Sequence, residues 1–580
     1  MSGLGRGVCS LRIVVYPLKP RQLVGETLLG SRILLLTTGL TGWGAVPPIR
    51  NTKFSLKGSM NIVDNTALRF HCSHDVAKQI TTYIDKSELI GAEGGHSEVL
   101  MYWGINEVQK LVRLLPDSNK IPSPIERDYG WPGMFTPFDH QRDTARFLTL
   151  HRRAFCFNEA GTGKTSAAIW AADYLMVHGL VKRVLVVCPL SIMQSAWQAD
   201  LFKTVMHRTC GVAHGSKRKK VINGGYEFVI FNYDGVNAER EAIMDGGFDL
   251  IIVDEANAYK NPSTVRWKNL AKIIRPDTYL WMMTGTPASQ SPEDAFGLAK
   301  LVNPNNIPKY KTAWKDAVMQ QITRFKWIPK PHAKGLVFNA LQPAIRYEKA
   351  QCLDLPDLMY QTREVPLSAQ ATSYYKELRK EMQIEAAGET ISTVNAAAAL
   401  TKLLQLSGGA VYTDDHNVIE FDISPRLNVL GEVIDEASHK VIVFIPYRHT
   451  IKVVQDYLTK NNVTTEIISG DVTASNRAAI FNKFQTTDTP RVLLIQPQAA
   501  SHGVTLTAAD TIVFWSPVMS VETYLQCVAR IDRVGQKNKM TVIHLQGSEV
   551  EKRMYTMLQG KVDLHTQLVD LYKEEIGETV

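Results

Sequence analysis

Short, continuous apolar runs alternate along most of the chain with longer stretches whose apolar positions recur at helical spacing. One set of runs covers 184–188, 228–231 and 250–253. A second set covers 441–445, 465–468, 492–495, 511–515 and 541–545. Apolar runs without polar alternation are strands covered on both faces, and interleaving them with helices is the mark of a parallel α/β sheet. Two such sheets are therefore predicted. Ahead of them, 61–116 predicts strands at 67–71 and 98–103 and helices at 76–84 and 106–115, a small α+β unit. The proline-rich run I-P-S-P leads out of it. Between the two sheet-forming regions, 305–425 reads as helix-like and linker-like, with an alanine run at 396–399.

At 580 residues the chain is too long for one ordinary core. The pattern divides it into 1–59, a basic unassigned segment; 60–125, the small α+β domain; and 126–304, a first lobe. It continues as 305–425, an inter-lobe helical insertion and linker; 426–560, a second lobe; and 561–580, a tail or brace. Charge sharpens the reading of the first segment. The formal net charge is +8, yet residues 1–59 hold eight Lys/Arg against one acid, Glu26, leaving 57 basic and 56 acidic residues beyond them. A nucleic-acid contact must then come from a local basic track, not from the bulk charge. The segment resembles a mitochondrial presequence in make-up, but the preferred reading is that Met60 is the natural start.

Seven cysteines, at 9, 72, 156, 188, 210, 352 and 527, form neither a C-x-x-C pair nor a zinc spacing. A reduced cytosolic protein without structural metal is expected, with Cys156 and Cys188 as buried thiols. No run reaches the ~18 apolar residues that span a bilayer, so no membrane partner is expected.

Chemistry enters at A-F-C-F-N-E-A-G-T-G-K-T-S-A-A-I-W, 154–170, which reads as strand, glycine loop and helix. Gly161, Thr162 and Gly163 would offer backbone N–H groups to phosphate, Lys164 would reach the β and γ phosphates, and the Thr165 hydroxyl would ligate Mg²⁺. The strict pattern wants glycine at 158, where the chain has Asn158. Asp254 and Glu255 follow the apolar run at 250–253, at the strand end where α/β sheets hold ligands. Asp254 suits the Mg²⁺ shell and Glu255 suits polarising a water. In Q-C-V-A-R-I-D-R-V-G-Q, 526–536, Gln526, Arg530 and Arg533 recur at helical spacing, so a helix would present all three on one face. Two fixed guanidinium groups suit the neutralisation of phosphate charge. ATP and Mg²⁺ are the implied cofactors. The K-R-K-K run at 217–220 reads as a solvated loop.

The order of these motifs resembles the superfamily 2 helicases, and their spelling resembles the Swi/Snf branch, ATP-driven translocases of duplex DNA. F-D-H-Q-R at 138–142 is similar to the adenine-reading Q motif, which nominates Gln141. C-P-L-S-I-M-Q-S-A-W at 188–197, F-N-Y-D-G-V at 231–236, D-E-A-N-A-Y-K-N-P-S at 254–263 and M-T-G-T-P at 283–287 resemble motifs Ia, Ib, II and III. R-Y-E-K-A-Q-C-L-D-L-P resembles the branch's link between lobes. K-V-I-V-F, S-G-D-V-T-A-S-N-R and H-G-V-T-L-T-A-A-D resemble motifs IV, IVa and V, and 526–536 resembles motif VI, the likeness covering about 135–560.

Departures are present. The phosphate loop ends G-T-G-K-T where the branch has a G-L-G-K-T ending, Asn257 replaces a histidine in motif II, and F-W-S-P precedes motif VI where the branch has W-N-P. Nothing in these residues argues for histone recognition.

The resemblance implies an α/β fold of two tandem RecA-like lobes, with helical insertions and the small N-terminal α+β domain. It implies ATP·Mg²⁺ in the inter-lobe cleft, with Lys164, Asp254, Glu255, Arg530 and Arg533 catalytic and Gln526 near the nucleotide. Thr284, Thr286, Thr505 and Thr507 are candidates for DNA contact or coupling. A monomeric DNA-dependent ATPase that translocates on double-stranded or branched DNA is the leading expectation. A strand-separating DNA or RNA helicase is the alternative, and a non-catalytic DNA-binding scaffold a third. The domain at 60–125 is either a DNA-structure-recognition module or a cap on the first lobe. The expected location is the cytoplasm of a bacterial or phage-infected cell, or the nucleus in a eukaryote.

Overall fold

The computed structural model describes residues 60–115, 121–285, 287, 291–322, 327–388, 393–412, 418–500 and 504–560. The readings of 1–59, Thr286 and 561–580 lie outside them.

The N-terminal unit is an antiparallel sheet of four strands in the order Asn61–Val63, Ala67–Ser73, His96–Tyr102, Ser87–Glu93. Leu68, Phe70 and Cys72 are buried along one strand and Ser97, Val99 and Met101 along its neighbour, the period-two pattern of a sheet with one covered face. Helix His74–Tyr83 packs on this sheet. Helix Ile105–Leu114 lies against helix Asp139–Leu150 of the first lobe. There the buried Gln109 donates to the Thr149 carbonyl at 2.6 Å and accepts from the Tyr279 hydroxyl at 2.8 Å. That polar clip joins the unit to the lobe.

The first lobe is a parallel seven-stranded sheet. Its order is Ala344–Ile345, Arg153–Cys156, Tyr279–Met283, Leu250–Asp254, Val184–Cys188, Phe228–Asn232 and Cys210–Ala213. Every residue of the four strands Tyr279–Met283, Leu250–Asp254, Val184–Cys188 and Phe228–Asn232 is buried, which is why their sequence carries no polar alternation. The second lobe is a parallel six-stranded sheet ordered Leu358–Glu364, Met540–Gln546, Ala509–Phe514, Lys440–Phe444, Val492–Ile495, Thr465–Ile468.

Residues 305–425 do more than link. They form the helices Ala369–Gly388 and Thr393–Ser407, as the pattern predicts. They also place one edge strand in each lobe, Ala344–Ile345 beside Arg153–Cys156 and Leu358–Glu364 beside Met540–Gln546. The first is only two residues long, and the second, L-M-Y-Q-T-R-E, is mostly exposed, so neither carries an apolar run. No helix among the described residues is long and apolar enough to cross a membrane.

Candidate nucleotide site between the lobes

Strand register places the first-lobe chemistry. Cys156, Met283 and Asp254 stand level on three adjacent strands. The glycine loop, the 284–285 turn and the Asp254–Glu255 pair therefore leave the sheet together at its carboxyl end.

Gly161 and Gly163 adopt φ of 88° and 77°, the left-handed region. A Cβ at 163 would lie 2.0 Å from Gln141 Nε2, and one at 161 would lie 3.1 Å from the Cβ of Arg533. Helix Lys164–Val177 starts at once, so its free N–H groups open toward the loop, and Thr165 lies in its first turn. Inside the loop, Lys164 Nζ donates to the Glu159 carbonyl at 3.2 Å and the buried Thr162 hydroxyl donates to the same oxygen at 2.8 Å.

Asn158, the departure from the strict pattern, is buried and fully used. Its Nδ2 donates to Thr144 Oγ1 at 2.8 Å and its Oδ1 accepts from the Tyr347 N–H at 3.0 Å. Side-chain bonds thus clip the loop between helix Asp139–Leu150 and the segment that follows the first-lobe edge strand. Asn158→Ala is expected to strand these partners and to destabilise the protein by about 1–3 kcal/mol. Denaturant unfolding would measure it, and an unchanged midpoint would contradict the role.

Gln141 faces the loop. Its Oε1 reaches back to accept from the Phe138 N–H at the helix start at 3.0 Å, while Nε2 lies 3.5 Å from the Thr162 and Gly163 carbonyls. His140 Nε2 lies 2.8 Å from the Thr162 carbonyl.

Asp254 is held from both sides. Oδ2 accepts from Trp197 Nε1 at 2.9 Å and Oδ1 from the Glu255 N–H at 3.0 Å. Trp197 is fully buried and sits on a π-helical turn, Met193–Gln198, a conformation that recurs at functional sites. Glu255 takes φ 49°, uncommon for a residue with a side chain. The Tyr233 hydroxyl donates to the Asp254 carbonyl at 2.8 Å.

Burial raises the Asp254 carboxyl, opposed by Lys164. The Glu255 carboxyl is pushed up to about 8, first by burial and then by Asp254, against the pull of Lys164 and Arg530. Between its ordinary value of 4.5 and about 8, folded Glu255 keeps a proton that the unfolded chain releases. More protons bound in the folded state means stability falls as pH rises through that window. Glu255→Gln should therefore raise the thermal unfolding midpoint more at about pH 8 than at about pH 5. Equal shifts at both values would contradict the assignment.

The second lobe supplies the arginines, though not on one continuous helix. Helix Val521–Val528 ends before them, and Ala529 has φ −65° and ψ 0°. The N–H groups of Arg530 and Ile531 then bond three residues back, to Cys527 and Val528, and Gly535 turns left-handed at φ 98°. The expected shared helix face is replaced by a tight turn, in which the Arg530 side chain holds the carbonyl that its own N–H would take in a helix. Arg530 Nε donates to the Gln526 carbonyl at 2.6 Å. Arg530 Nη1 and Arg533 Nη1 both donate to the Val504 carbonyl, at 3.1 and 3.0 Å. The two guanidinium groups are thus brought together. Burial, then the neighbouring Arg533, pulls Arg530 down to about 10. Burial lowers Arg533 too, while Asp200 of the first lobe favours its charge.

A solvent-open cleft between the lobes is lined by Lys164, Glu255, Gly285, Lys349, Gln526 and Asp532 among others. Of the predicted residues, Lys164, Glu255 and Gln526 line it. Asp254, Arg530 and Arg533 are not among its lining residues, and the Gln141 side chain lies against the glycine loop. Asn257, in place of the histidine, reaches the second lobe: its Nδ2 donates to Glu522 Oε1 at 3.2 Å, and Gln526 Nε2 donates to the same oxygen at 3.4 Å. Thr284 is buried at the end of its strand, Thr505 is exposed, and Thr507 Oγ1 accepts from Gln485 Nε2 at 2.9 Å. Sequence reasoning missed Trp197, Glu522, Lys349 and Asp532. Trp197 closes the run resembling motif Ia, Lys349 lies inside the run resembling the link between lobes and Asp532 inside the run resembling motif VI, but nothing local marks Glu522.

Comparison with known proteins places this arrangement. The family model described as SNF2-related domain matches residues 140–409, and that described as helicase conserved C-terminal domain matches 425–535. The mouse chromodomain-helicase-DNA-binding protein 1-like is 24% identical over 71% of this chain and 47% of its own length. Protein p41 of Acyrthosiphon pisum secondary endosymbiont phage 1 is 24% identical over 71% of this chain and 92% of its own. Among solved structures, the Sulfolobus solfataricus SWI2/SNF2 ATPase core in complex with dsDNA aligns with a TM-score of 0.38 and 19% identity, over 78% of this chain and 99% of that one. The chain spans about half the length of the mouse relative. With an SNF2-related domain followed by a helicase conserved C-terminal domain, it belongs to the Swi/Snf-type branch of the superfamily 2 helicases.

Proposed function

We propose that the chain is a DNA-dependent ATPase that translocates on double-stranded DNA, remodelling protein–DNA complexes or branched structures. The observation that carries the reading is the convergence on one cleft of a glycine loop, an acidic pair and an arginine turn from two parallel-sheet lobes. In it, the amides of 161–163 and Lys164 hold the β and γ phosphates, and Glu255 orients and polarises the attacking water. Arg530 and Arg533 neutralise charge that develops on the γ phosphate.

Mg²⁺ fits the donor set. Each Asp254 carboxylate oxygen accepts one hydrogen bond, from Trp197 or from the Glu255 N–H, which leaves lone pairs, and Thr165 lies in the first turn after the loop. Among the described residues no three His, Cys, Asp or Glu side chains are grouped to cage a metal. A nucleotide-bound Mg²⁺ needs no such cage, since phosphates and water complete its shell. Asp254 and Thr165 would hold it, and its charge would stabilise the phosphate oxygens.

Opening and closing of the lobes would step them along a phosphate backbone, a contact without base readout. Release of a third strand from a blunt triplex tests this, since it requires travel along duplex DNA without unwinding it. Wild type should release it with ATP and Lys164→Ala should not. Unwinding of forked DNA without triplex release would favour the strand-separating reading, to which the G-T-G-K-T spelling is closer. Affinity for duplex should fall about 1000-fold between 50 and 200 mM salt if several phosphates are contacted.

A further inference from the structure

We propose that Lys349 is a positioning residue for hydrolysis, clasping the arginine turn of the second lobe to the phosphate loop of the first. The proposal rests on the reading of this cleft as an ATP site. Lys349 belongs structurally to the phosphate loop. The segment before it runs beside the loop strand, with the N–H groups of Phe155, Phe157 and Glu159 donating to the carbonyls of Pro343, Ile345 and Tyr347 at 3.0, 2.8 and 3.0 Å. The ladder ends with the Lys349 N–H donating to Glu159 Oε2 at 3.0 Å. The backbone at 349 is therefore fixed to the loop itself.

Its side chain crosses to the other lobe. Nζ donates to Asp532 Oδ2 at 2.6 Å and to the Asp532 carbonyl at 2.7 Å. The side chains of Lys349 and Asp532 are only 14% and 17% exposed, so the pair escapes most of the solvent screening that weakens surface ion pairs. Asp532 lies in the turn between Arg530 and Arg533, and its carbonyl is 3.5 Å from where a Cβ on Gly161 would stand. That turn belongs to no helix or strand. It takes its position from contacts such as this one.

Lys349 lines the same cleft as Lys164 and Glu255. Its ammonium group is nevertheless committed twice to Asp532, which separates its role from that of a phosphate ligand. Displacing a charge-bearing group by about 1 Å can cost about 100-fold in rate without a change in ground-state binding.

The test uses the full chain, with steady-state ATP hydrolysis and the affinity of a fluorescent ATP analogue measured side by side. Lys349→Met loses both bonds, so kcat should fall about 100-fold while KM and analogue affinity stay within about threefold. Asp532→Asn keeps the main-chain acceptor and should lose less, about tenfold. The double variant should match Lys349→Met alone, because both remove one interaction. Lys349→Arg should restore most of kcat. Weaker analogue binding at unchanged kcat in Lys349→Met would overturn the proposal, as would additive losses in the double variant. If Lys349→Met does not fold, Asp532→Asn decides: wild-type kcat there overturns the clasp. Wild-type protein without ATP turnover would instead remove the nucleotide reading on which the proposal stands.

Discussion

Glu255→Gln is expected to lower ATP turnover by about 1000-fold while the nucleotide still binds. The carboxylate lines the cleft beside Lys164, on a residue turned to φ 49° just past its strand. The substitution keeps the shape and removes the carboxyl group that is proposed to accept a proton once ionised, so the loss should fall on kcat and leave KM little changed. Equilibrium binding of a fluorescent ATP analogue, set against phosphate release, separates the two effects. Loss of analogue binding, or turnover within tenfold of wild type, would remove Glu255 from the role of water activator. Asp254→Asn should differ. Asp254 accepts bonds from Trp197 and the Glu255 N–H. Weakening them disturbs both the proposed metal shell and the geometry of its neighbour.

Arg533→Ala should be as severe, about 1000-fold or more in turnover, with ATP affinity preserved. Arg533 comes from the opposite lobe, and its Cβ nearly touches the position a side chain at Gly161 would occupy. Its Nη1 shares the Val504 carbonyl with Arg530, which brings two positive charges together. A charge delivered there acts on the developing γ phosphate and contributes little to holding the ground state. Arg530→Ala should lose turnover too but also soften the turn, since Arg530 is buried and holds the Gln526 carbonyl. An Arg533→Ala protein with wild-type turnover in the presence of DNA would exclude the finger.

The central strands were legible because burial on both faces leaves an uninterrupted apolar run. The runs at 184–188 and 492–495 match the observed strands to the residue; 465–468 matches as well, although it is an edge strand with only Ile468 buried. Edge strands escaped for the opposite reason. Ala344–Ile345, Leu358–Glu364 and Ser87–Glu93 pair on one side only, so nothing forces an apolar pattern on them. The N-terminal unit shows the same division, its two inner strands readable and both of its edges not.

The site divides in the same way. Loop, acidic pair and arginines are local signatures whose residues must stand close in sequence to work. The residues that hold them answer to partners far along the chain. Lys349 meets Asp532 across 183 positions, and Asn257 meets Glu522 across 265. No local pattern encodes such a pairing. Asn158 is instructive, because a departure from the glycine pattern is a pair of buried hydrogen bonds. The error at 526–536 has a similar origin. Helical spacing was present, but the helix ends at Val528, and the Arg530 side chain takes the Gln526 carbonyl that its own N–H would hold in a helix.

If duplex DNA drives this nucleotide site as proposed, initial ATP hydrolysis rates will show it when compared without nucleic acid and with blunt duplex DNA, single-stranded DNA, forked DNA and RNA. Blunt duplex should stimulate strongly, and Lys164→Ala should abolish the effect. Stimulation confined to single-stranded or RNA substrates, or none by any of them, would contradict the proposal.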